Sequence, residues 1–108
     1  MGLKFSNNAT TTLAADLSSI ATSMSVASGT GALFPELGGS DYFYATLQDL
    51  NDNMEIVKVT ARTDDTMTIV RAQEGTLAIP FAASSRVELR MTAAALQEIV
   101  DGLAALTP

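Results

Sequence analysis

The sequence predicts a mainly β fold, a small antiparallel β-sandwich or barrel with a short C-terminal α-helix. Three observations predict it. Several segments alternate apolar and polar residues with a period of two. Polar turn signals of two to four residues separate them. The last segment changes to helical spacing, with Leu96, Ile99, Val100 and Leu103 standing at i, i+3, i+4 and i+7. Strands followed by one terminal helix exclude an alternating βαβ order. The 108 residues fit one domain, divided into a β-rich body over 1–92 and a terminal helix over 93–106.

The elements follow in chain order. Residues 9–30 are rich in Ala, Thr and Ser, yet Met24 and Val26 alternate with small polar residues, as in a half-buried strand. Thr10 to Leu13 supplies a strand before it. Gly29-Thr30-Gly31 breaks the pattern, and an irregular loop runs from Phe34-Pro35 to Gly38-Gly39. Asp41 to Asp49 is the next strand, with Tyr42, Tyr44 and Thr46 on one face and Phe43, Ala45 and Leu47 on the other. Asn51-Asp52-Asn53 turns the chain into Met54 to Arg62. There the apolar set Val57, Val59 and Ala61, which shares its face with Glu55, is expected inward. After the Asp64-Asp65 turn, Met67 and Ile69 alternate against Thr66 and Thr68. Gln73-Glu74-Gly75 forms a structural turn, and residues 77–85 are irregular around Pro80-Phe81. Arg86 to Met91 alternates again, with Val87, Leu89 and Met91 on one face. Thr92 fits a helix N-cap ahead of three alanines, and Gly102 weakens the last turn.

Composition narrows the chemistry. Twelve acids against six bases leave a formal net charge of −6, the wrong sign for neutralising phosphates or an anionic membrane surface, so neither nucleic acid nor membrane is an expected partner. Cysteine and histidine are both absent. That removes thiolate nucleophiles, disulfides, imidazole bases, a Ser-His-Asp triad and the usual zinc ligand sets. No cofactor, metal or catalytic residue is expected. Charged residues make up 17% of the chain, below the usual quarter, which suits a surface packed against other proteins.

Candidate sites are few. Glu74 lacks a second carboxylate at a spacing that pairs with it, so it is read as part of the turn. The run DLNDN lacks the glycine and the terminal glutamate of a calcium loop, so Asp49 and Asp52 are read as turn acids. Tyr42-Phe43-Tyr44 is read as core on one side and cross-strand pairs on the other. Leu96, Ile99, Val100 and Leu103 are the candidate oligomer or partner interface. The stripe either packs on the chain's own sheet or is exposed for association.

Four segments carry a resemblance. The succession ATTTLAADLSSIATSMSVASGTGALFP, EIVKVTART, TIVRAQEGT and PFAASSRVELRMTAAAL, in this order and spacing, resembles the N-terminal virion-anchoring module of bacteriophage fibre and spike proteins. The likeness spans about residues 5–97. It implies a non-enzymatic virion structural protein of a phage, a prophage or a phage-like gene-transfer particle, assembled in the bacterial cytoplasm. A fibre protein continues into a shaft and a receptor-binding tip, whereas this sequence stops at Pro108. The resemblance therefore implies a base, adaptor or collar piece that attaches a separate fibre or spike to a head or tail. Fibres of that family are usually trimeric, which implies a homo-oligomer of three, with a ring at a fivefold head vertex as the other symmetry. Capsid decoration by a cement protein is the alternative function, and an enzyme using carboxylates alone is the third class.

Overall fold

The structure, a computed structural model, describes residues 3–7 and 9–104, with helix side chains described as far as Asp101. Its strands are β1 (Thr10–Thr12), β2 (Ser23–Ser25), β3 (Phe43–Gln48), β4 (Met54–Thr63), β5 (Thr66–Gln73) and β6 (Arg86–Glu88). A 3-10 turn spans Thr30–Leu33, and the helix α1 spans Ala93–Ala104. The fold is mainly antiparallel β with one short C-terminal helix, as the alternation and the terminal stripe predict. Residues 105 and 106 of the expected helix lie outside the described residues.

All the strands belong to one sheet in the order β1-β6-β3-β4-β5-β2. The sheet curls into a half-barrel until its two outer strands touch. Leu13 and Val26, just past β1 and β2, form an antiparallel bridge. The Ala14 N–H donates to the Ser25 carbonyl at 2.9 Å, and the Ala27 N–H to the Thr12 carbonyl at 2.9 Å. Closure of this kind leaves no long unpaired edge.

The inward face is set by the period of two. Phe43, Ala45 and Leu47 of β3 are buried with Val57 and Val59 of β4, Met67 and Ile69 of β5 and Val87 of β6. Met24, Val26, Leu13 and Leu17 join them, and Phe34 stacks on Phe43 at 5.7 Å between ring centres. Each such side chain contributes about 1.5–3 kcal/mol when fully buried, which makes this cluster the main support of the fold. No residue of α1 belongs to it among the described residues.

Two irregularities between β4 and β5 shape the ends of the barrel. Val59 pairs with Ile69, but Ala61 pairs with Thr68, so β4 carries one extra residue. Such a bulge reverses which side chains point inward beyond it. Ala61, expected inward with Val57 and Val59, is therefore exposed, while Arg62 turns back to donate to the carbonyls of Pro35 at 3.2 Å and Asp64 at 3.1 Å. At the other end, Ile56 pairs with Gln73 and Lys58 with Val70. The extra residue there falls on β5, where Ala72 has φ 56°.

A second expectation also needs correcting. The strand expected over Arg86 to Met91 stops at Glu88. Val87 is buried and Leu89 packs against the core, but Met91 is exposed. The chain leaves the sheet there to start the helix, so the alternation continues in sequence beyond the ladder that would give it a buried face.

Candidate partner interface

The helix starts where the turn after β5 delivers a carboxylate. Glu74 has φ 54° and Gly75 φ 81°, a left-handed pair that reverses the chain. The Thr76 hydroxyl locks the turn by donating to the Gln73 carbonyl at 2.7 Å, and it accepts the Ile56 N–H at 3.1 Å. Gln73, Glu74 and Gly75 thus form the expected structural turn. The turn also aims Glu74 at α1, where Oε1 accepts the Ala94 N–H at 2.9 Å. Thr92 Oγ1 accepts the Ala95 N–H at 3.1 Å, as an N-cap residue does. A carboxylate and a hydroxyl so placed satisfy two of the unpaired donors at the helix start and suit its positive end.

One turn further on, α1 meets the outer face of the sheet. Tyr42 and Tyr44 donate their hydroxyls to the two oxygens of Glu98, at 2.9 and 3.2 Å. The rings meet edge to face at 5.8 Å, and Lys58 Nζ sits 4.4 Å from the Tyr42 ring centre. Burial, with the Glu98 carboxylate beside it, pushes the Tyr44 phenol up to about 12. Tyr42 is raised by the same two causes. The side of α1 turned to the body thus carries Ala95, which is buried, Glu98, and the half-buried Ile99.

The predicted stripe is split by this arrangement. Leu96 is 52% exposed and Val100 48% exposed, so these two stand on the open side of the helix. Ile99 lies at the boundary, and Leu103 falls outside the described side chains. The structure brings Leu96, Ile99 and Val100 together along one helix edge, and the more apolar part of that edge faces away from the chain's own sheet.

Below the helix turn lies a fully partnered ion pair. Glu55 and Arg71, with side chains 0% and 9% exposed, pair through Arg71 Nε to Oε2 and Nη2 to Oε1, both at 2.8 Å. Glu55 also accepts the N–H groups of Ala72 and Ile79, each at 3.0 Å. Arg71 donates onward to the carbonyls of Ser18, Ala21 and Ile79. Burial alone raises the Glu55 carboxyl, but the hydrogen bonds from Arg71 and the two backbone N–H groups outweigh it and leave the group below its ordinary value. The network ties the β1–β2 loop and the loop after β5 to the barrel end. Its sequence signal is the acid at Glu55 on an otherwise apolar inward face, which requires a buried partner.

Asp49, weighed above as a calcium ligand or a turn acid, is engaged inside its own turn. Its carboxylate accepts the N–H groups of Asn51 and Asn53 at 2.9 Å and the Asn53 side-chain amide at 3.0 Å. The spacing of the acids does not show Glu98 as the acceptor of two tyrosines or Glu74 as a helix cap. Both roles depend on where the turn and the linker place the helix. No family model matches this sequence, and no curated protein is significantly similar to it.

Proposed function

We propose that this chain is a non-enzymatic structural module of a phage or phage-like particle, a base or adaptor that attaches a fibre or spike to the head or tail. It works as a homo-oligomer, a trimer, and the open edge of α1 is the contact. One observation carries the reading. The residues through which the sequence resembles the virion-anchoring module are those that assemble the joint beneath α1: Glu55 in EIVKVTAR, and Arg71, Glu74, Gly75 and Thr76 in TIVRAQEGT. The likeness therefore lies in the frame that positions an interface, and it extends to TAAAL, where that interface begins. Half-exposed Leu96 and Val100 support the same reading, because paired apolar side chains on one helix edge are a common association element.

The test is Leu96→Asp together with Val100→Asp. Neither side chain belongs to the barrel core, so the double variant is expected to keep the parent's β circular dichroism, run as a monomer by light scattering and stay out of purified particles. A variant that oligomerises and enters particles like the parent overturns the proposal. Copy number separates the two virion roles: an adaptor is present in a few copies at one vertex or ring, a cement protein in hundreds over the capsid.

A further inference from the structure

The attachment of α1 differs in kind from the attachment of every strand. The hydrophobic core is built from the strands and the loops that plug them, and α1 contributes nothing to it among the described residues. The helix is held by Glu98, which receives Tyr42 and Tyr44, by Glu74 at its N-terminus, and by the buried methyl of Ala95. Its larger apolar residues Leu96 and Val100 are turned away from the barrel. A free helix of 12 residues is marginal in water, so α1 stays helical only while it is docked.

We propose that α1 is a latched strap, a unit that opens and refolds on the barrel independently of it, with the Tyr42–Glu98–Tyr44 hydrogen bonds as the latch. Opening removes no core side chain, breaks two phenol–carboxylate hydrogen bonds and frees the outer face of β3. The closed form is favoured because carboxylate acceptors strengthen both bonds. The barrel is indifferent to the latch because Phe43, Ala45 and Leu47 face the other way along the same strand. This holds whether or not the chain is part of a particle, so it stands or falls apart from the functional reading.

Native-state hydrogen exchange on the full chain tests it, with Tyr42→Phe and Tyr44→Phe combined so that both rings stay while both hydroxyls go. Amides in 96–101 are expected to exchange about tenfold faster or more, since a hydrogen bond to a charged group is worth at least that factor. Amides of β3, β4 and β5 are expected to exchange as in the parent, with the thermal transition of the barrel unchanged. Glu98→Gln, which leaves both tyrosines in place, is expected to accelerate the same amides by a smaller factor. Unchanged exchange in α1 overturns the proposal. So does equal acceleration in helix and barrel, or failure of both variants to fold, because either makes α1 part of one cooperative unit. Parent amides in 96–101 exchanging as freely as an unstructured peptide also overturn it, because no latch is then closed.

Discussion

A methyl group added at Gly31 would lie 2.0 Å from the Asp64 carbonyl oxygen, with no flexible side chain to give way. The approach is that close because the Asp65 carboxylate clamps the turn, accepting the N–H groups of Gly29 and Gly31 at 2.9 Å each. Gly31→Ala is therefore expected to destabilise the fold by about 1–3 kcal/mol, the usual range for forced overpacking, read from the urea midpoint. Gly75 is a different case. Its φ is 81° and nothing lies within 4 Å of an added Cβ, so Gly75→Val meets backbone strain alone, about 1–2 kcal/mol. The two glycines were unequally legible in the sequence. Gly75 sits in a polar turn between strands, where a left-handed residue is a local requirement. Gly31 in the run Gly29-Thr30-Gly31 signals only a break, because the atom that requires it belongs to a hairpin distant in the chain.

At the scale of elements, the strands were readable where the ladder is regular and misread where it is not. Phe43, Ala45 and Leu47 face the core as the period of two requires, and so do Met67 and Ile69. Ala61 does not, because the bulge before it depends on pairing with β5, which the sequence of β4 cannot express. The helix was legible as a helix through Thr92 and its apolar stripe, but the face it turns to the barrel was not. Apolar spacing points to Leu96 and Val100, whereas docking is made by Glu98 and Ala95. Thr92→Ala is expected to lose about 1 kcal/mol of helix stability, as N-cap truncations do. With α1 outside the core, that loss is expected in the exchange of helix amides and not in the barrel's melting temperature. A matching drop in melting temperature shows instead that the cap supports the whole fold.

The whole molecule carries a consistent electrostatic bias. Glu55, Asp65, Asp49 and Glu88 are all held below their ordinary values. Burial is the leading influence on Glu55 and Glu88 and acts upward, but hydrogen bonds from Arg71 and backbone N–H groups, and from Arg90 and Thr10, overcome it. Asp65 is lowered first by the N–H groups of Gly29 and Gly31, and Asp49 first by Asn53. A carboxyl with a depressed folded pKa adds stability that is present above its unfolded value, near 4, and is lost as the pH falls through the folded value. The urea midpoint is expected to hold through neutral pH and to drop steadily below about pH 4. Glu55→Gln is expected to flatten part of that drop, and an unchanged acid profile in this variant removes Glu55 from the cause. The same scale shows how the chain passes through its barrel. Thr10 is the register partner of Glu88, and their side chains share a hydrogen bond of 3.0 Å. The polypeptide enters the sheet and leaves it at one spot. A tension applied between the segment before Thr10 and the segment after Glu88 acts at the end of the β1–β6 ladder and parts its residue pairs one after another, as a zipper opens, while β3, β4 and β5 lie outside the line of force. Loaded in that way, the molecule is a mechanical fuse: β1 peels first and the rest of the barrel remains as the template on which it reseals.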